Sequence, residues 1–134
     1  MCFFKSVRTK HKTANVDTVC YKLMSSGFFN GGNLNSIFYP SFDGYNVGDK
    51  ILPVITIPDD EIDGCRGIDG GVIYSYVSLK AAEAARIRLI TFRPEKSGSV
   101  AVVRCAIPAG TSYWRNNRGE IISKQLVIKE ILKI

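Results

Sequence analysis

The residues of this chain that could do chemistry gather in its last third, around one acidic residue, Glu120. A branched apolar run over residues 100–107 ends at a Pro-Ala-Gly-Thr turn, and a second turn, residues 116–119, precedes the acid. This succession of elements can place one carboxylate at the edge of a pocket. It consists of a strand, a tight turn, a polar loop, an acid and a further strand. We predict Glu120 as the candidate catalytic residue, because no other part of the sequence combines these features. No complete catalytic signature accompanies it.

Candidate ligand contacts lie on two predicted strands and in one polar loop. Residues 18–24 alternate between two faces, and residues 72–77 form a branched and aromatic run after a Gly-Gly pair, which predicts a strand in each place. A lone tryptophan beside an arginine in a loop is a residue type that anchors partners or stacks bases. The candidate contacts that these elements offer are Tyr74, Tyr76, Trp114 and Arg115.

Each of these residues also has a purely structural interpretation, and the sequence leaves both open. Glu120 and Lys22 could be solvated residues of a strand. Tyr74 and Tyr76 share one strand face and could be core or interface rings. Trp114 could cap the end of the hydrophobic core.

The length of 134 residues, with 46% hydrophobic and 22% charged residues, predicts a single soluble globular domain. Residues 1–15 carry basic side chains and no acid, so we expect a basic N-terminal arm, followed by one globular domain over residues 16–134. No apolar run approaches the roughly 18–20 residues of a membrane span, and the N-terminus lacks the apolar core of a secretory signal. We therefore expect no membrane association and a cytoplasmic location, in the protein's own cell or in a host cell.

The formal net charge of +6 is unevenly distributed along the chain. From Gly70 onward there are 11 Lys and Arg against four Glu, whereas residues 43–69 hold seven of the 12 acids. A dipolar surface of this kind suits an anionic ligand near the basic side, although scattered cations also simply keep a protein soluble. A nucleic-acid partner is disfavoured, because no basic run is interleaved with aromatic residues.

The four cysteines are too widely spaced to predict a metal site. They are Cys2, Cys20, Cys65 and Cys105, without a Cys-x-x-Cys pair, and the chain has one histidine, His11. A structural zinc site is therefore not expected. Cys20 and Cys105 lie in apolar strand-like runs and are predicted to be buried thiols.

The pattern of elements predicts a β-rich α+β domain. We expect six to eight short, mostly antiparallel strands and one main helix over about residues 79–89, with Ser78 as its N-cap. Residues 51–57 read as an edge strand because Pro53 interrupts them. Residues 58–64 read as an acidic surface loop. An aromatic patch of Phe38, Tyr39, Phe42 and Tyr45 could wall a ligand or cover the core.

The order of these motifs resembles the ADP-ribosyltransferase superfamily. The resemblance rests on the first strand, a Gly-x-x-Tyr strand, an alanine-rich helix, the Ile-Pro-x-Gly-Thr motif of residues 107–111 and the Gly-Glu pair of residues 119–120. It implies a split β-sandwich that grips NAD in a cleft. It also implies ligand contacts from the first strand at Tyr21 and Lys22, of which Lys22 is the cation, and a stacking or hydroxyl residue from the central strand at Tyr74 or Ser75. Glu120 would be the late catalytic acid, which stabilises positive charge on the ribose.

The chain departs from that family at three places. Lys22 replaces the family's His or Arg, and a lysine cannot reproduce the planar fork of a guanidinium. Ala84 and Ala85 stand where the helix of the family carries a second tyrosine, and Arg118 stands two residues before Glu120 in place of Gln or Glu. The opening Met1-Cys2-Phe3 and residues 19–22 also resemble small uncharacterised proteins of gut bacteria and their phages, a resemblance that carries no activity.

Three hypotheses follow. The first is a catalytically degenerate binding protein on an ADP-ribosyltransferase-like scaffold, which holds a nucleotide-like ligand or a host protein. A phage or mobile-element origin would make interference with host defence a natural role. The alternative is a mono-ADP-ribosyltransferase or NAD glycohydrolase that uses Glu120, with NAD as its only implied cofactor. The second alternative is an assembly protein that self-associates through edge strands, for example over residues 126–134.

Overall fold

We describe the protein from a computed structural model, which defines residues 10–26, 34–35, 44–62 and 71–133. The strands are β1 (Lys10–Thr13), β2 (Thr18–Ser26), β3 (Leu34–Asn35), β4 (Lys50–Ile51), β5 (Ile73–Tyr76), β6 (Val100–Ile107), β7 (Ser112–Arg115), β8 (Glu120–Ser123) and β9 (Leu126–Lys133). One α-helix, α1 (Leu79–Phe92), and two 3-10 turns, Asp59–Glu61 and Pro94–Lys96, complete the described elements. The predicted β-rich fold with one main helix is confirmed. Within these residues, no helix has the length and apolarity that a membrane crossing requires.

The strands form one hydrogen-bonded sheet that is almost divided in two. Their order is β1-β7-β8-β5-β2-β6-β9-β4, with β3 paired to β2, and every pairing is antiparallel. β2 and β6 share eight residue pairs, whereas β2 and β5 share a single pair, Tyr21 with Tyr76. We call β1-β7-β8-β5 the first half and β2-β6-β9-β4 the second half.

The apolar run that the sequence places at residues 100–107 is the central strand of the second half. β6 lies between β2 and β9, and all of its residues except Arg104 are buried. A strand covered on both faces has no need of polar alternation, which explains the continuous apolar run. Arg104 instead forms an ion pair with Glu130 of β9 at 2.9 Å.

The two halves of the sheet share one hydrophobic core, which we call the inner cluster. It contains side chains from both halves, so burial of this apolar surface holds the halves together where backbone pairing does not. Its fully buried members (relative exposure below 2%) include Cys20, Met24, Ile73, Val103, Cys105, Leu126 and Ile128.

Helix α1 covers the opposite face of the sheet, at the junction of the two halves. Its N-cap is Ser78, whose Oγ accepts a hydrogen bond from the backbone N–H of Ala81 at 3.1 Å. Ala82 and Ala85 are buried in one cluster with Leu23 and Val102, because methyl side chains let the helix approach the strands closely. The predicted N-cap is confirmed, and the helix runs three residues beyond the predicted Leu89.

Several predicted boundaries differ from the structure. Residues 10–13, which the sequence assigned to a basic arm, form β1 and pair with β7. The predicted strand over residues 51–57 is limited to β4, and β7 replaces the predicted polar loop around Trp114. The described residues hold nine strands, where six to eight were expected. Of the aromatic patch, Phe38, Tyr39 and Phe42 lie outside the described residues, as do Cys2 and Cys65.

Candidate functional site

Glu120 begins β8, and both oxygens of its carboxylate are held by neutral donors. The phenol of Tyr74 donates a short hydrogen bond to Oε2, and the side-chain amide of Asn116 donates to Oε1 at 2.8 Å. The glutamate side chain is half-buried. Each carboxylate oxygen offers two lone pairs, so these two bonds leave acceptor capacity on the carboxylate.

The turn before Glu120 fixes the position of the acid. The Asn116 Oδ1 accepts hydrogen bonds from the backbone N–H groups of Arg118 at 2.9 Å and Glu120 at 3.2 Å. Gly119 takes a φ of +79°, a conformation that glycine adopts without strain. Its carbonyl accepts from the N–H of Val77 at 2.9 Å, which ties the turn to the residue just before the helix N-cap.

Two tyrosines of β5 flank the carboxylate. Tyr74 and Tyr76 meet edge to face, with ring centroids 5.7 Å apart. Burial, the hydrogen bond to Glu120 and the charge of that carboxylate raise the pKa of Tyr74 well above its ordinary value. Burial first and the charge of Glu120 second raise the pKa of Tyr76 to about 12. Both phenols therefore stay protonated at neutral pH, and that of Tyr74 serves as a hydrogen-bond donor.

Two arginines lie within electrostatic reach of the same tyrosines. Arg118 lowers the pKa of Tyr74 and Arg88, on α1, lowers that of Tyr76, in each case against a larger opposing effect of burial. Both arginine residues are exposed. The two tyrosines beside the carboxylate are therefore bordered by positive charge.

Strand register divides the predicted site residues between two faces of the sheet. Tyr76 lies opposite Tyr21 on one side and opposite Glu120 on the other. Directly opposite residues of antiparallel strands share a face, and alternate residues of one strand do too. Tyr21, Tyr74, Tyr76 and Glu120 therefore share the helix-side face, whereas Lys22 and Ser75 lie on the opposite face.

Lys22 is consequently not beside Glu120. The predicted NAD cleft would require these two residues to lie on the same side of the sheet. Its Nζ donates to the backbone carbonyl of Tyr74 at 2.7 Å, between the two halves of the sheet. Burial lowers the pKa of Lys22, while Cys105 and Cys20 act in the opposite direction. Lys22 and Glu120 are thus linked through opposite ends of one residue, Tyr74, rather than across a shared cavity.

Ser75 and the two described cysteines lie on the Lys22 face and are inaccessible. Cys20 and Cys105 are opposite each other on β2 and β6, and both are free thiols with 0% exposure. Burial raises the pKa of Cys20 to about 12 and that of Cys105 to about 11. The Ser75 Oγ, also fully buried, has no partner of good hydrogen-bond geometry among the described residues, although the nearby hydroxyl lowers the pKa of the Cys20 thiol.

The two predicted contacts on β7, Trp114 and Arg115, lie on opposite faces of the sheet. Trp114 is 5% exposed and packs with Ile122 and Val72, so it is a core residue. Its ring stacks on His11 of β1, with centroids 4.5 Å apart and planes within 10° of parallel. Arg115 is exposed and lies opposite Ile121, on the face away from Glu120. Tyr76, Ser75 and Trp114 are therefore too deeply buried to contact a ligand directly.

Sequence reasoning missed Asn116 and Arg88. The Asn-Asn-Arg-Gly sequence predicts a turn, and an asparagine that begins a turn often binds backbone N–H groups two residues on. That its amide also reaches Glu120 depends on the turn geometry. Arg88 approaches the site only because α1 packs across β5, which no local pattern indicates.

Comparison of the chain with protein-family models, with curated proteins and with solved structures gave no match. In the part of the chain that the structure describes, no group of three or more His, Cys, Asp or Glu side chains could hold a metal ion. The candidate site is therefore defined by its own geometry: a glutamate held by a phenol and an amide, two buried or half-buried tyrosines, and bordering arginines.

Proposed function

We propose that the protein is a small binding protein that holds a nucleotide-like ligand at Glu120. The observation that carries this proposal is the double hydrogen bond from Tyr74 and Asn116, which fixes a half-buried carboxylate with acceptor capacity to spare. A carboxylate in this state can accept hydrogen bonds from ribose hydroxyls. The bordering arginines suit a phosphate, for which the guanidinium fork is the favoured partner.

An ADP-ribosyltransferase-like scaffold is part of the proposal, and two features support it. The resemblance assigns functional residues to a first, a central and a late strand, which here are β2, β5 and β8, and these three are neighbours in the sheet. The single residue pair between β2 and β5 also agrees with the split of a split sandwich. Both features follow from backbone pairing and not from the motifs on which the resemblance rests.

Catalytic degeneracy is the third part of the proposal. An NAD-cleaving site needs its cation and its acid to act on the same substrate, whereas Lys22 lies on the face opposite Glu120 and donates to a backbone carbonyl. We therefore favour binding without turnover over a transferase.

A ligand panel separates these functions. Purified protein is mixed with ADP-ribose, NAD, adenine and inorganic phosphate, and the unfolding temperature and the release of nicotinamide are both followed. A ligand at 100 times its Kd stabilises the folded state by about 2.7 kcal/mol. We expect ADP-ribose to raise the unfolding temperature and free adenine to leave it unchanged, without nicotinamide release from NAD. Nicotinamide release that is lost in Glu120→Gln would instead support the transferase, and no shift with any ligand would reject nucleotide binding.

Self-association through the C-terminal strand is less well supported. The pairing of β9 with β6 is interrupted by two register irregularities, near Val102 and near Arg104, and bulges of this kind disfavour edge-to-edge pairing. The exposed lysine at position 129 acts in the same direction. Light scattering across a concentration series tests this alternative, and growth of the apparent mass with concentration would restore it.

A further inference from the structure

The junction between the two halves of the sheet has little backbone pairing to hold it. β2 and β5 are neighbours, yet only Tyr21 and Tyr76 pair between them, whereas β5 and β8 share four pairs. Antiparallel neighbours normally satisfy their backbone groups through a continuous ladder. Where the strands diverge, no backbone N–H of β2 reaches the carbonyl of β5, so that carbonyl needs another hydrogen-bond donor.

Lys22 supplies that donor. It follows Tyr21, the paired residue, by one position, and its Nζ donates to the Tyr74 carbonyl at 2.7 Å. A long, flexible side chain with three N–H groups can cross a gap that a backbone N–H cannot. The residue that receives this bond is also the residue whose phenol donates to Glu120. One tyrosine therefore connects the strand junction to the carboxylate.

We propose that Lys22 is a positioning residue, which clamps the backbone of β5 at Tyr74 and so sets the place of the Glu120 carboxylate. The sequence-based role of a ligand-contacting cation is replaced by a structural one. The consequence for ligand affinity rests on the proposed function, but the clamp itself does not. Without the clamp, β5 can shift at Tyr74, and the phenol and carboxylate lose their fixed relative position.

Two variants and one control test the clamp. Lys22→Met keeps the length and apolar character of the side chain and removes the donor, whereas Lys22→Arg keeps a cationic donor at similar reach. Lys12→Met, on the exposed strand β1, removes a lysine away from the junction. The readouts are the carbon resonances of the Tyr74 carbonyl and the Glu120 carboxylate, and the affinity for ADP-ribose.

We expect Lys22→Met to shift both resonances and to weaken ADP-ribose binding by about tenfold, the worth of one net hydrogen bond. Lys22→Arg should restore most of the affinity, and Lys12→Met should match the wild type. A Lys22→Met protein that is less stable but keeps both resonances would mean that Lys22 only adds stability, and would overturn the proposal. If the wild type binds no ADP-ribose, the proposed function fails, while the two resonances still decide the clamp.

A measurement on the wild type keeps the test independent of whether Lys22→Met folds. The Tyr74 carbonyl resonance should change together with the side-chain nitrogen resonance of Lys22 as the ammonium group of Lys22 titrates. A carbonyl resonance that does not follow the Lys22 titration would also overturn the proposal.

Discussion

The phenol of Tyr74 donates a hydrogen bond to the carboxylate of Glu120, a residue 46 positions further along the chain. The contact joins β5 to the first residue of β8, and a second donor, Asn116, holds the other carboxylate oxygen. Glu120 is thus held in one orientation and is not a freely solvated strand residue. The predictions below follow from this contact and from the burial of the residues around it.

Tyr74→Phe should destabilise the protein and loosen Glu120. The substitution removes a donor to a charged acceptor, and hydrogen bonds to charged groups contribute about 1.5–3 kcal/mol. We expect the lower end of that range, because the carboxylate is half-exposed and water can replace the phenol. Denaturant unfolding measures the loss. In a double-mutant cycle with Glu120→Gln, additive effects of the two substitutions would show that the hydrogen bond contributes nothing.

Stability should fall at alkaline pH. Relative to the unfolded chain, burial raises the pKa of Tyr76 from 10.0 to about 12, that of Cys20 from 9.0 to about 12 and that of Cys105 from 9.0 to about 11. A raised pKa means that the folded state holds the proton more tightly, so this stabilisation is complete below pH 9 and is lost as the pH rises toward 12. The pKa of Lys22 is lowered, so its contribution to stability increases as the pH rises and offsets part of the loss.

Tyr76→Phe isolates one part of this pH dependence. A rise of two pKa units corresponds to about 2.7 kcal/mol. Between pH 8 and strongly alkaline pH, the wild type should therefore lose more free energy of unfolding than the variant, by an amount on that order. Denaturant unfolding at pH 8 and at alkaline pH provides the comparison. Equal pH dependence in the two proteins would mean that the Tyr76 phenol ionises in the folded state as readily as in the unfolded chain.

Cys20 and Cys105 should not react with thiol reagents in the folded protein. Both are fully buried and their raised pKa values leave almost no thiolate at neutral pH. The measurement uses a variant in which Cys2 and Cys65 are replaced by serine, so that only these two thiols remain. We expect reaction only after unfolding in denaturant, and prompt reaction under native conditions would contradict the burial of this pair.

His11→Ala should expose the only tryptophan of the chain. The imidazole stacks on the Trp114 indole, and an aromatic pair contributes about 0.5–1.5 kcal/mol beyond its buried area. Removal of the ring should shift the tryptophan emission to longer wavelength and increase quenching by acrylamide. Lys12→Ala, the next residue on β1, is the control. Unchanged emission in His11→Ala would mean that other groups bury the indole.

Local patterns predicted the elements of the fold well. Val100–Ile107 and Ile73–Tyr76 form strands because branched and aromatic residues favour them, and Ser78 caps α1 because its hydroxyl can satisfy a free N–H. The sequence predicts a polar loop around Trp114, whereas residues 112–115 form β7, which gains its stability from pairing with both β1 and β8.

The site was predicted less well, because its geometry depends on register between distant strands. The sequence indicated Glu120, Tyr74 and Lys22, and the structure connects all three. It could not indicate that Lys22 faces away from the acid, since that follows from the pairing of Tyr21 with Tyr76. Trp114, for which the sequence leaves a ligand contact and a core position equally open, is buried because β1 and residues near Ile62 cover it.

Calorimetric titration with ADP-ribose tests most directly whether the fixed Glu120 carboxylate is the centre of a nucleotide site. The titration compares the wild type with Glu120→Gln, whose amide would set an N–H group against the donor of Tyr74 or Asn116. Glu130→Gln, which removes the same charge on β9, is the control. We predict that Glu120→Gln weakens binding by roughly 10- to 100-fold and that Glu130→Gln binds as the wild type does. Equal affinity for ADP-ribose in all three proteins, or no binding to the wild type, would contradict the proposed site.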